Sequence, residues 1–201
     1  MKKNKIFWLI LIILIIIICV FIFKNVIKNS KNGNNMNSQE VVDKILNLNS
    51  YKATIYIQVN SNKNQNKYII KQEYNTENGF VQEVIEPANI AGVRIIKKDN
   101  NLSIENSDLD LKTIFENYNE LENNSLDLIS FINEFNENGN SKFEEKDGEI
   151  IMKTYSDKNN KYVKNKVLYI NKENAMPIKL LIKDNNQNTT IIIEYREIEL
   201  N

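Results

Sequence analysis

Residues 6–23, IFWLILIILIIIICVFIF, run for eighteen positions without a charge, and no other segment limits the chain as strongly. As a helix rising about 1.5 Å per residue, the run would span roughly 27 Å, enough to cross the hydrocarbon core of a bilayer. Lys2, Lys3 and Lys5 precede it, which favours a cytoplasmic N-terminus and an extracytoplasmic body. Lys24, Lys28 and Lys31 follow it and reduce that bias. A cleaved signal peptide would need a small-residue site after the apolar region, and Phe23-Lys24-Asn25-Val26 offers none. A lipoprotein signal would use Cys19, the single cysteine, as the lipid attachment site, although Ile16-Ile17-Ile18 stand where small residues are expected. The length of the run favours an uncleaved single-pass anchor in the cell membrane, in which Cys19 is a small apolar residue.

Removing the anchor changes the charge balance. All 26 acidic residues lie from Glu40 onward, and six of the 26 basic residues lie at or before Lys31. The body therefore holds 20 basic against 26 acidic residues, a net charge of −6. An acidic body argues against nucleic acid as a partner, because phosphate backbones select basic faces. The basic residues flank the apolar run, where anionic headgroups would attract them.

The chain contains no histidine, which excludes histidine triads, histidine general bases and histidine metal sites. One cysteine permits neither an intradomain disulfide nor a thiolate cluster. Among five glycines none forms a phosphate-cradling motif, so no cofactor is expected. Paired carboxylates such as Glu144-Glu145 could in principle run glycosidase chemistry. Here they alternate with apolar residues and read as the wet side of strands, so the chain is not expected to be an enzyme. The abundance of asparagine reads as turn composition between apolar strands.

Four segments follow: a basic flank at 1–5, the anchor or lipoprotein-type signal at 6–23, a polar tether at 24–37, and a folded body at 38–201. A flexible tether of about 14 residues spans roughly 20 Å, which keeps the body near the membrane. Asn37 is a candidate N-cap with Glu40 three residues on, and Val41, Val42, Ile45 and Leu46 then recur at helical spacing until Asn49-Ser50. From Tyr51 the period becomes two. Tyr51, Ala53, Ile55, Ile57 and Val59 share one face, and Lys52, Thr54, Tyr56, Gln58 and Asn60 the other. Further strands are expected at 67–75, 80–86, 92–98 and 102–106, with Asn78-Gly79 as a hairpin turn and Pro87 breaking the sheet.

The stretch 111–118 reads as a short helix or turn. A second helix is expected from Ser125 to about Asn136, with Leu126, Ile129, Ile132 and Phe135 on one face, widened by Leu128 and Phe131. Strands resume at 142–145, 149–157, 162–171, 177–184 and 189–200. Their short turns, among them Asp147-Gly148, imply antiparallel pairing. The expected fold is α+β: a curved antiparallel sheet, a half-barrel, whose apolar face is covered by the two amphipathic helices. It should fold alone as a monomer or a homodimer.

This order of elements resembles the LolA-like fold and, within it, the germination lipoprotein GerS and its relatives. The resemblance runs from Ser38 to Asn201. It is carried by VVDKILNLNSYKATIYIQV (41–59), EPANIAG (86–92), LYINKENAMPIKLLIKD (168–184) and EYREIELN (194–201). It implies a non-catalytic partner of the spore N-acetylmuramoyl-L-alanine amidase CwlD. That enzyme removes peptide side chains from cortex peptidoglycan before muramic-δ-lactam forms, and any zinc would belong to it. The residues before Cys19 depart from the lipoprotein pattern of that group.

Three functions compete on these grounds: a membrane-tethered regulator of a cell-wall amidase, a carrier or sensor of lipid with a cavity between sheet and helices, and an envelope stress sensor. An uncleaved anchor disfavours a soluble shuttle. Tyr56, set on the polar face of its strand, is the one candidate interface anchor, because tyrosine is enriched in interfaces.

Overall fold

In the computed structural model the described residues are 36–61, 63–99, 101–118, 126–155 and 163–201. The apolar run with Cys19, the basic flank and the tether up to residue 35 lie outside them. Among the described residues no helix is long and apolar enough to cross a membrane.

Helix α1, Ser38–Leu46, begins as its sequence dictates. The Asn37 side chain accepts from Glu40 N at 2.9 Å, and the Glu40 carboxylate accepts from Asn37 N at 2.8 Å, so the capping box satisfies two otherwise orphaned amides. Val41, Val42 and Ile45 form its buried face. The helix ends at Leu46, and Asn47 caps it, its backbone N–H and side-chain amide both donating to Asp43 O.

Among the described residues eleven strands form one sheet, in which every neighbouring pair is antiparallel. The first six are β1 (Ser50–Asn60), β2 (Gln65–Asn75), β3 (Gly79–Glu86), β4 (Arg94–Lys98), β5 (Asn101–Asn106) and β6 (Leu111–Phe115). After helix α2 (Leu128–Glu137) come β7 (Lys142–Lys146), β8 (Glu149–Tyr155), β9 (Asn165–Asn171), β10 (Pro177–Lys183) and β11 (Thr189–Leu200). The spatial order β6-β5-β4-β3-β2-β1-β11-β10-β9-β8-β7 is two meanders zipped together at the centre, where β1 pairs with β11. The chain thus leaves one edge at β6, passes through α2, and re-enters at the opposite edge as β7.

Alternation puts Tyr51, Ala53, Ile55 and Ile57 of β1 on the buried face, as the period of two requires. In β11 the alternation changes parity. Thr54 pairs with Glu197 and Ile55 with Tyr195, which leaves Arg196 as the extra residue of a β-bulge. Without it, Ile193 and Tyr195 could not share a face with Ile198 and Leu200. Both helices pack against this face. Val41, Val42, Ile45, Leu128, Phe131 and Ile132 meet Ile150, Met152, Leu168, Ile170, Leu180 and Ile182 in one core.

Two turns match their sequence signals. Asp147 and Gly148 both have positive φ, the geometry a two-residue hairpin needs. The β2–β3 hairpin forms where expected, but its turn covers residues 76–78 and Gly79 opens β3. Gly79 is held to glycine twice, by φ of +82° and because a Cβ there would lie 2.2 Å from Lys97 O.

Two expectations need correction. Residues 111–115 are not helix or turn but the edge strand β6, paired with β5 from Asn106↔Leu111 to Leu102↔Phe115. The side chain of Asn106 accepts from Asp108 N and Leu109 N and builds a tight turn there. Asp110, at φ of +51°, completes the reversal, so pairing decides the conformation. Helix α2 begins after Asp127 rather than at Ser125, because the Asp127 carboxylate accepts from both Ser130 N and Ser130 Oγ. Its buried residues are Leu128, Phe131 and Ile132, while Ile129 and Phe135 pack at the margin.

Candidate functional site

Among the described residues, each face of the sheet holds a place that could engage another molecule. The outer one contains Tyr56. Tyr56 is 43% exposed, and the guanidinium of Arg196, the bulge residue, lies 5.1 Å from its ring centroid. Ile69 lies beside it on β2, and Ile192 and Glu194 on β11 complete a shallow depression with Lys67 and Glu86. A half-exposed aromatic with an apolar flank and charges of both signs suits a protein contact. Tyr56 is thus exposed on the outer face, as its strand position implies, with a neighbour, Arg196, that strand alternation alone would not supply. The expectation for Cys19 falls outside the described residues.

The inner place is a cavity of about 430 Å³ between the β2–β5 end of the sheet and the first turns of α2. Phe80, Ile95, Leu102, Ile104 and Ile129 give it apolar walls. Gln82, Asp127, Ser130 and Asn133 give it a polar side. The polar side continues into the core. Tyr51 donates from its hydroxyl to Gln72 Oε1 at 3.1 Å and accepts from Leu128 N at 3.4 Å. Gln72 Nε2 donates to Leu126 O at 2.7 Å. These two side chains fix the start of α2 against the sheet. Further along, the fully buried Lys166 Nζ lies 2.9 Å from the Glu134 carboxylate, and Thr154 Oγ1 donates to Glu134 O, which ties the helix to β8 and β9.

Burial controls the electrostatics here. Asp127 is pushed up to about 6 by desolvation, against the opposing pull of its bonds from Ser130 and of the Lys166 and Lys97 charges. Tyr51 and Tyr195 are both raised by burial first and by the nearby Asp127 second, so both stay neutral at physiological pH. Gln82 is 3% exposed, and its carboxamide nitrogen has no hydrogen-bond partner. Among the described residues no group of three carboxylate or sulfur ligands could hold a metal ion. Glu144 and Glu145, on the edge strand β7, are engaged by Lys153 and Lys172.

The buried polar residues carry a signal in the sequence that apolar periodicity does not register. Gln72 stands in register with Ile70 and Tyr74, Gln82 with Phe80 and Val84, and Lys166 with Leu168 and Ile170. A polar residue at an inward position of an otherwise apolar strand is that signal. Asp127 gives a weaker one, as a capping residue three positions before Ser130.

The fold is thus a broad antiparallel sheet that holds two helices on one face, with a cavity beside α2 and a shallow depression around Tyr56 on the opposite face. Residues 4–201 match the family of YdcC-like sporulation proteins, and the chain belongs to that family. No protein of curated function matches it in sequence. Among solved structures, it is similar to the complex of the CwlD amidase from Clostridioides difficile with the GerS lipoprotein. The match has 22% identity and a TM-score of 0.53 over 80% of this chain and 92% of that one. An uncharacterized conserved protein from Thermus thermophilus matches with 11% identity and a TM-score of 0.52, over 83% of this chain and 88% of the other. A LolA superfamily protein from Nitrosomonas europaea matches at 12% identity with a TM-score of 0.41, over 83% and 94%. At these identities the likeness concerns the fold, and the expected curved sheet over two helices is the architecture observed.

Proposed function

We propose that this chain is a non-catalytic, membrane-tethered regulatory protein that supports a spore N-acetylmuramoyl-L-alanine amidase during peptidoglycan modification. The carrying observation is its likeness in fold to the GerS lipoprotein of the CwlD complex, within a family of sporulation proteins. In this reading residues 6–23 anchor the chain in the cell membrane with the acidic body outside. The short tether raises the effective concentration of the body for an amidase held at the same surface. The absence of histidine fits a protein that leaves the metal and the hydrolysis to its partner. Tyr56 and Arg196 supply an aromatic and a guanidinium, the residue types that most often dominate binding energy.

The test is retention of a purified spore amidase by the immobilised full-length chain. Retention is expected, weakened at least tenfold by Tyr56→Ala with the melting temperature unchanged. Absence of retention by the wild-type chain would remove the amidase reading. The inner cavity favours a second reading, a carrier or sensor of a small amphipathic molecule, for which a bound compound should co-purify with the protein.

A further inference from the structure

The two edges of the sheet are built differently. Strand β7, at one edge, reads Lys142-Phe143-Glu144-Glu145-Lys146, and its carboxylates are engaged by Lys153, Lys172 and the Ser38 hydroxyl. Charges on an edge strand discourage further pairing. Strand β6, at the other edge, lacks this protection. Among the described residues its one strand neighbour is β5, so the backbone groups along its outer side are left to pair. Every residue of β6 is exposed. Leu111, Ile114 and Phe115 are 60%, 55% and 46% exposed, and Ile104 and Leu109 continue the patch. These five are most of the large apolar side chains that lie exposed among the described residues. Leu111 and Phe115 stand opposite Asn106 and Leu102, on the face that carries α2, and Ile114 stands opposite Ser103 on the outer face. An apolar strand with an unpaired edge is suited to taking up one more strand.

We infer that β6 is a docking edge for an extended segment of another protein, apolar at its centre and basic at each end, which pairs antiparallel with Leu111–Phe115. Charge decides the partner. Residues 101–118 hold four acidic residues, Glu105, Asp108, Asp110 and Glu116, against one basic residue, Lys112. Lys112 lies 3.6 Å from Glu105, which Arg94 also meets at 3.1 Å, while Lys97 and Lys98 stand on β4, two strands in from the edge. Asp110 before the strand and Glu116 after it are both exposed and face whatever pairs there. Bases opposite these two acids are attracted, and apolar side chains opposite Leu111, Ile114 and Phe115 bury them. A second copy of this chain fits less well. Centred on Thr113, the register that uses the whole strand, it sets Asp110 opposite Glu116 at both ends. Centred on Lys112 it opposes the two lysines. Centred on Ile114 it sets Lys112 opposite Glu116, yet within the strand only residues 113–115 then pair. A bilayer fits poorly too, because anionic headgroups repel the same acids. Strand β6 is five places from β1 in the sheet, so this contact and the amidase contact at Tyr56 can fail separately.

The test is calorimetric titration of the full-length chain in phosphatidylcholine nanodiscs, with empty nanodiscs as reference. The probe is the peptide acetyl-Lys-Val-Ile-Val-Thr-Ile-Lys-amide, whose lysines fall opposite Glu116 and Asp110 in the antiparallel register. It should bind at least tenfold more tightly than the same peptide with glutamate at both ends. N-methylation at alternate residues should abolish binding in one phase and spare it in the other, because a docked strand pairs along one edge only. Ile114→Lys, at an exposed position, should weaken binding at least tenfold in a protein whose melting temperature is unchanged. Glu116→Lys should reduce the preference for the lysine peptide at least threefold. Binding of neither peptide, as when a second copy or the bilayer closes the edge, would overturn the inference. So would equal binding of both, equal loss in the two N-methylated phases, binding that survives Ile114→Lys, or a preference that Glu116→Lys leaves intact.

Discussion

At the scale of single residues, Asp127 links the cavity to stability. Its carboxyl titrates near 6 in the folded protein and near 3.8 when unfolded, because burial outweighs the bonds from Ser130 and the charges of Lys166 and Lys97. A raised acid pKa means that the folded state holds the proton more tightly. This contribution is fully present below about pH 4 and is lost as pH rises through about 6. Asp127→Asn keeps an oxygen for Ser130 N and removes the titration. The melting temperature of Asp127→Asn minus that of the wild type should therefore rise from pH 4 to pH 7, and parallel pH profiles would contradict the assignment. Tyr51 is the companion case. Tyr51→Phe leaves Gln72 Oε1 and Leu128 N without their hydroxyl and should cost about 1–3 kcal/mol in denaturant unfolding, with no change in m-value.

Whole elements depend on a few contacts. The capping box makes α1 sensitive to Asn37→Ala, expected to cost about 1 kcal/mol. Helix α2 rests on the buried Lys166–Glu134 pair. Lys166→Met alone strands a carboxylate against the core and should cost about 3–5 kcal/mol. Lys166→Met with Glu134→Leu should recover most of that loss, as a double-mutant cycle in urea would read. The elements also show what sequence can and cannot convey. The capping box, the Asp147-Gly148 turn and the inward set of β1 were legible because their causes are local. Strand β6 was not, since LKTIF has no strong alternation of its own and becomes a strand through pairing with β5. The bulge at Arg196 was equally hidden, because a parity change in β11 becomes visible only beside its partner β1.

Across the molecule, the order of elements and the antiparallel pairing followed from short turns and amphipathic stretches, and the single sheet follows from zipping β1 to β11. The inner cavity did not follow. It depends on where α2 lies over β3–β5, and that is set by long-range bonds from Tyr51, Gln72 and Lys166. On the outer face the exposure of Tyr56 was legible from its strand position, whereas the approach of Arg196 to its ring was not. The central claim, support of an amidase without catalysis, is tested most directly by one rate. Purified spore amidase should be assayed on isolated peptidoglycan with and without the full-length chain. The account predicts faster release of peptide side chains when the chain is present and no release by the chain alone. An amidase rate unchanged by saturating chain, or release by the chain in the absence of amidase, would contradict it.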